Sequence, residues 1–230
     1  MGAEIYSLSP EQREAFFAAP KEALTAIQEA WRADGKTGVL SCGFAVSGDG
    51  LHKKYPWLST DICNRIVTTY REVWAPQVPE LWWNLKKTAH AAVRNAGKEF
   101  SAICGVRYFF DTGAKRPVLI CRLLNGKESF YPEPEIKPDD FGKPAIFYSA
   151  VKDRVYRRNV AWHGVLTENV VSALARELLV AAILRLQTRG YRVVLSVHDE
   201  LVVEGAVPQW AIDASIPIAV EAFVTTRYRK

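Results

Sequence analysis

Leu195-Ser196-Val197-His198-Asp199-Glu200-Leu201-Val202-Val203-Glu204 is the stretch that decides how the rest of this sequence is read. Two apolar runs, Val193 to Val197 and Leu201 to Val203, flank the polar tripeptide His198-Asp199-Glu200. Alternation with a period of two on either side of a short polar break predicts a β-hairpin. Its tip carries two carboxylates and an imidazole where a hairpin ordinarily places Asn-Gly. Adjacent anions on a tight turn repel each other unless a cation or a polar network stabilises them. A divalent metal does so most simply. An ordinary polar hairpin tip is the other reading of the tripeptide taken alone.

The flanks favour the first reading. Helical periodicity runs from Thr167 through Arg189 and is closed by Gly190. The string VHDELVVE, preceded by this long helix, resembles the metal-binding hairpin of family A DNA polymerases, in particular their bacteriophage branch. Upstream, Gly164-Val165-Leu166-Thr167-Glu168-Asn169 leading into Ala173-Leu174-Ala175-Arg176-Glu177-Leu178-Leu179 resembles the helix before that hairpin. Downstream, Pro208-Gln209-Trp210-Ala211, Pro217 and the terminal Arg227-Tyr228-Arg229-Lys230 are similar to the family's C-terminus.

A second chemical element lies near residues 30–46. Arg32, Lys36, Leu40 and Phe44 recur every fourth residue, so on a helix they share one stripe that drifts by about 40° per step. Two cations followed by an apolar and an aromatic residue suit a nucleotide: the cations meet phosphate and the aromatic ring meets the base. Taken alone, the stretch equally describes a solvated amphipathic helix. It resembles the nucleotide-binding helix in the fingers of family A polymerases, and GKTGVLSCGF here is close to the phage variant GKVAELALGY. Phe44 stands where the family usually has Tyr, and Ala45 follows where Gly is common. Gly35, Gly38 and Gly43 each weaken a helix by about 1 kcal/mol.

Composition sets the frame. Of the 230 residues, 49% are apolar and 24% charged, enough for a real core under a normal surface. Lys and Arg total 30 against 25 Asp and Glu, giving a net charge of +5 that suits a polyanionic partner without demanding one. Cys42, Cys63, Cys104 and Cys121 are scattered, with no CxxC, which argues against zinc and for free thiols in a reducing compartment. No apolar run approaches the roughly 20 residues of a membrane span, and no signal peptide pattern opens the chain. A protein of the cytoplasm is expected, that of the host if the chain is phage-encoded, with no membrane partner.

The sequence predicts an α+β fold: a mostly helical fingers-like region over 1–103, then a palm-like region over 104–230. The palm-like part carries the long helix 167–189 and the catalytic hairpin 191–204. Within the first region, periodicity interrupted at Pro20 predicts two short helices between Pro10 and Gly35. Ser59-Thr60-Asp61 caps a helix through Trp74, and a further helix spans Glu80 to Asn95, ended by Gly97. Ile62 to Trp74 followed by VPELWWNLKKTAHAAV is similar to the family segment after the nucleotide helix. Trp74, Trp82 and Trp83 sit at helical spacing and read as packing residues, and His52, His90 and His163 as surface or structural ones.

In the second region, Cys104 to Phe110 and Val118 to Leu124 are candidate paired strands, with Asn125-Gly126 as a turn signal. RLLNGKESFYP resembles a weakened copy of the LPSGRxLxYP hairpin of phage polymerases. YPEPEIKPDD reads as a proline-broken loop, and YSAVKDRVYRRNV alternates loosely with four basic residues. Arg157 and Arg158 either contact DNA phosphates or protect a strand edge from aggregation.

The resemblance implies roles for particular residues. Asp199 and Glu200 bind the catalytic Mg²⁺ ions, and His198 orients the primer terminus. Arg32, Lys36, Leu40 and Phe44 hold the deoxynucleoside triphosphate. Arg157, Arg158, Thr167, Asn169 and Ser172 meet the primer–template, although the phage enzymes carry Gln where Ser172 stands. A two-metal site draws carboxylates from two places, with its ions about 3.5–4 Å apart. Family members supply one of them from a DxSxIExR-like strand upstream of the nucleotide helix, and none of the 31 residues before Arg32 matches that pattern. The path from Glu204 to Pro208 is also shorter than in relatives. The expectation is therefore one subunit of a split polymerase, whose partner chain supplies the first Asp, the thumb and any exonuclease. A catalytically inactive remnant that binds nucleic acid, a structural replisome protein and a metal-dependent nuclease are the rival readings.

Overall fold

The computed structural model describes residues 1–113 and 115–204. The C-terminal matches at Pro208-Gln209-Trp210-Ala211, Pro217 and Arg227 to Lys230 lie outside the described residues. The fold is α+β, with helices first and small antiparallel sheets after them.

Local sequence chemistry starts most of the helices. After a short α1 (Gly2–Ile5), Ser9 caps α2 (Pro10–Ala18) in a reciprocal box with Gln12, and Pro10 takes the first helical position, where its missing N–H costs nothing. Thr25 and Gln28 form the same box at the start of α3 (Ala26–Cys42). Ser47 caps α4 (Gly48–Lys54) and Ser59 caps α5 (Thr60–Thr69). The expected single helix to Trp74 widens after Thr69 into a π-helical turn, Tyr70–Trp74, closed by the Ala75 N–H donating to the Tyr70 carbonyl. α6 (Gln77–Arg94) then begins at Pro76, earlier than the expected Glu80, and Pro79 is tolerated because first-turn N–H groups have no helical partner.

The glycines of α3 make a docking face. Asp34, Gly35, Gly38, Ser41 and Cys42 point inward, and α1 packs across them. A Cβ on Gly35 would lie 2.6 Å from the Gly2 nitrogen, and one on Gly38 would lie 2.8 Å from the Met1 side chain. Their cost in helix propensity is thus offset by backbone approach. The Tyr6 hydroxyl donates to the buried Asp34 carboxylate, and burial together with that carboxylate pushes the Tyr6 pKa up to about 12. Ile5, Cys42, Leu51, Cys63, Ile66, Tyr70 and Trp82 form the core beneath.

Four strands follow: β1 (Glu99–Ser101), β2 (Arg107–Asp111), β3 (Val118–Arg122) and β4 (Glu128–Pro132), antiparallel in sequence order. The expected strand start at Cys104 is instead a 3₁₀ turn, Ile103–Gly105. Tyr108, Leu119, Cys121 and Tyr131 are buried in this sheet, and α6 packs on its strands. Outward-facing Arg122 pairs with Glu99 and Glu128, and Arg107 with Glu99, at 2.8–3.0 Å. The Asn125-Gly126 turn joins β3 to β4, with Gly126 at φ +80°, a backbone state that favours glycine.

One expectation is corrected here. The proline-broken loop at 131–140 contains a strand, β5 (Glu135–Pro138), which pairs with β6 (Pro144–Lys152), itself paired with β7 (Val155–Ala161). Edge position explains the prolines: β5 needs ladder donors on one side only, so Pro138 breaks no bond the sheet requires.

The long helix α7 runs His163–Thr188, opening four residues before the expected Thr167. Gly190, at φ +83°, ends it, and the hairpin β8 (Arg192–Val197) and β9 (Glu200–Glu204) follows. The chain divides into two compact units, Met1–Val171 and a second that starts at Ser172, with the division inside α7. Among the described residues, no helix is long and apolar enough to cross a membrane.

Candidate functional site

In the first unit, α3 carries Arg32, Lys36 and Leu40 outward along one stripe, beside Gly35 of its glycine face. They line a cleft of about 330 Å³ together with Val39, Phe16 of α2 and Trp74 of the π-helical turn. No described carboxylate forms an ion pair with Arg32 or Lys36, so both cations are presented to whatever enters. Paired cations one helical turn apart beside apolar and aromatic walls fit a molecule with an anionic end and a flat apolar end. Val39 follows Lys36 by three residues and was legible on the helical wheel. Phe16 and Trp74 come from distant elements, and nothing local in the sequence announces them.

Phe44 is placed differently. It lies past the Gly43 cap of α3 and is not among the residues lining that cleft. A Cβ on Gly164 would lie 2.5 Å from the Phe44 carbonyl, so the start of α7 packs directly on this backbone. The Trp82 indole donates to the Gly43 carbonyl at 2.8 Å, which ties the end of α3 to α6. His163, the first residue of α7, stacks on Trp83 at 4.4 Å and meets Trp162 edge-on at 5.1 Å. Burial, then the nearby Lys86 and Arg71 charges, lower the His163 pKa to about 4, so its ring is neutral near pH 7. This histidine is a packing residue.

The five DNA-side candidates have separate environments. Thr167 is 2% exposed, and its hydroxyl donates to the His163 carbonyl at 2.9 Å. The Asn169 amide donates to the Tyr131 hydroxyl at 3.0 Å. Arg158 donates to the Glu133 and Phe147 carbonyls and to the Ser149 hydroxyl at 2.7–3.0 Å, holding the second sheet together. Arg157, next along β7, is exposed and pairs with Asp153 at 2.6 Å. Ser172 is exposed and belongs to the second unit.

In that second unit the hairpin forms as its alternation predicts, with a bulge at Val194. The turn is shorter than the tripeptide: His198 and Asp199 make it, and Glu200 pairs with Val197 as the first residue of β9. His198 takes φ +54°, as the handedness of two-residue hairpin turns requires. His198 and Asp199 face an open groove of about 810 Å³ whose other wall is Ser172, Ala175, Arg176, Leu178, Leu179 and Ala182 of α7. Carboxylate oxygens are the donors that magnesium prefers, and one or two of them, with water and substrate phosphates, is the usual set for that ion. Among the described residues, no three His, Cys, Asp or Glu side chains gather around a metal position. The donor set fits part of such a site and not a closed one.

This chain is 26% identical, over 247 aligned positions, to a DNA polymerase of Bacillus phage SP02. The match covers 99% of this chain and 36% of the relative, so the chain spans about a third of that protein's length. No family model matches, and no solved structure does. The likeness relates the chain to a phage DNA polymerase.

Proposed function

We propose that this chain carries the fingers and part of the palm of a family A, phage-type DNA polymerase, and performs template-directed nucleotidyl transfer as one subunit of a split enzyme. The observation that carries the reading is the exposed Arg32–Lys36–Leu40 stripe on a cleft, in a chain similar to a phage DNA polymerase over nearly its whole length. Arg32 and Lys36 neutralise the triphosphate, Leu40 packs near the sugar and Phe44 stands near the nascent base pair. At the hairpin, Asp199 would hold Mg²⁺ with Glu200 beside it, and His198 would orient the primer terminus. Mg²⁺ held there would supply charge neutralisation at the phosphates and lower the pKa of the 3′-hydroxyl. Arg157, Asn169 and Ser172 stand on the DNA side. A two-metal site draws carboxylates from two places; on this reading a second chain brings the first catalytic Asp, the thumb and any exonuclease. Such an enzyme works in the cytoplasm, that of the host if phage-encoded.

The test uses the protein reconstituted with the product of its neighbouring reading frame. Asp199→Ala abolishes incorporation and leaves primer–template affinity nearly unchanged, since it removes a metal ligand and not a DNA contact. Lys36→Ala removes a charge contact that strengthens toward the transition state, and lowers incorporation efficiency by about two decades or more. The pure isolated chain extends a primer only at background. Activity of Asp199→Ala within about threefold of the parent would remove the hairpin from the site, since a lost metal ligand costs decades of rate. Robust extension by the isolated chain would end the split-enzyme reading.

A further inference from the structure

The ribbon formed by the ends of β6 and β7 stands off the protein. All eight residues from Val151 to Arg158 are exposed. Cross-strand partners share a face, so Lys152 with Val155 and Ala150 with Arg157 mark one side, and Val151 with Tyr156 the other. A hairpin lying on its domain buries one of its two faces. Here Val151, Val155 and Tyr156 are 69%, 57% and 56% exposed, so both faces are open to solvent. The tip is stiff: Asp153 and Arg154 take φ +53° and +64°, the double positive φ of a tight two-residue hairpin turn.

Its charge is one-sided in sign. The eight residues hold four cations against the single carboxylate of Asp153. Arg158 turns inward to the Glu133 and Phe147 carbonyls, which leaves Lys152, Arg154 and Arg157 on the arm. Asp153 pairs with Arg157, and no described carboxylate pairs with Lys152 or Arg154. The arm is rooted beside the start of α7: Tyr148, on the face of Arg157, meets Tyr131 at 5.0 Å, and Tyr131 accepts the Asn169 amide.

We propose that this ribbon is a groove-binding arm for duplex DNA, with Lys152, Arg154 and Arg157 on the phosphates and Val151, Val155 and Tyr156 against the sugars and base edges. A two-stranded ribbon has the width that the major groove admits, and cations projecting from it meet the phosphate rims. Exposed aliphatic residues flanking those cations suit a groove wall better than bulk water. The inference rests on the DNA-polymerase reading for the identity of the polyanion.

The experiment measures equilibrium binding of the 230-residue chain to a duplex and to a single strand of the same sequence, as a function of KCl concentration, without nucleotides. The triple variant Lys152→Gln, Arg154→Gln, Arg157→Gln touches no core residue, and an unchanged melting temperature establishes that it folds. Each phosphate contact contributes about 0.9 to the slope of log affinity against log salt, so the loss of three should lower the duplex slope by about 2.7. Val151→Ser with Tyr156→Ser should weaken duplex binding several-fold, spare the single strand and leave the slope unchanged. A triple-variant slope within about 0.5 of the parent overturns the arm, since one contact alone exceeds that difference. A loss of equal size on the single strand overturns the groove assignment. If the arm variants bind as the parent does while Lys36→Ala still lowers incorporation, the arm falls and the polymerase reading stands. If the parent binds no duplex, the arm falls, and the polymerase reading is decided separately by Asp199→Ala and Lys36→Ala in the reconstituted protein.

Discussion

Gly35→Ala separates the two things that glycine does in α3. By helix propensity alone the change should stabilise the helix by about 1 kcal/mol. Geometry opposes it, because the new methyl would sit 2.6 Å from the Gly2 nitrogen and 3.0 Å from its Cα. Those are backbone atoms, so α1 as a whole must retreat, and overpacking of this kind costs about 1–3 kcal/mol. The net expectation is a loss of about 1–2 kcal/mol, read as a lower urea midpoint at an unchanged slope. Gly38→Ala is the internal control: its nearest neighbour at 2.8 Å is the flexible end of Met1, which can move, and the tight contact with the buried Ile66 methyl at 3.1 Å offsets the propensity gain, so the variant should stay within about 0.5 kcal/mol of the parent. Met1 and Gly2 also wall the cleft beside Arg32 and Lys36, so on the proposed role of that cleft Gly35→Ala should weaken triphosphate binding as α1 shifts. A Gly35→Ala protein more stable than the parent by the bare propensity gain would refute the packing of α1 on α3.

Two further expectations concern buried and bridging groups. Arg158→Gln loses three donated bonds inside the second sheet and should lower stability by roughly 1–2 kcal/mol, whereas Arg157→Gln should cost under about 0.5 kcal/mol; equal costs in chemical denaturation would contradict the division of labour between the neighbours. Burial first, then Lys86 and Arg94, lowers the His90 pKa to about 4, so the unfolded chain binds a proton that the folded one refuses. Stability is therefore complete above pH 6.5 and falls as the pH drops from there toward 4, by on the order of 3 kcal/mol for this group. The stability difference between the parent and His90→Gln, followed over pH 7.5 to about 4, should narrow or reverse toward acid; a constant difference would mean that His90 titrates normally.

The elements whose cause is local were legible before any coordinates. Ser59 announces its helix start because a cap is a contact between near neighbours in sequence. The alternation around His198-Asp199 gives the β8–β9 hairpin for the same reason, and the spacing of Arg32, Lys36 and Leu40 gives one stripe on α3. Even the shortening of the turn to two residues alters only which side Glu200 takes.

What the sequence left undecided depended on partners far along the chain. Glu135–Pro138 is a strand because β6 offers it a ladder on one side, and proline statistics hold no record of that neighbour. Thr167 and Arg158 look like surface polar residues in the sequence, yet one bonds its own helix and the other stitches two strands. The glycines of α3, a liability by propensity, became a docking face only when α1 arrived. Phe16 and Trp74 reach the Arg32–Lys36 cleft from separate elements. Side-chain type and spacing determine the preferred local conformation and the residues that share a face. Which of those faces meet is set by long-range packing of the whole chain, and only the tertiary structure decided it.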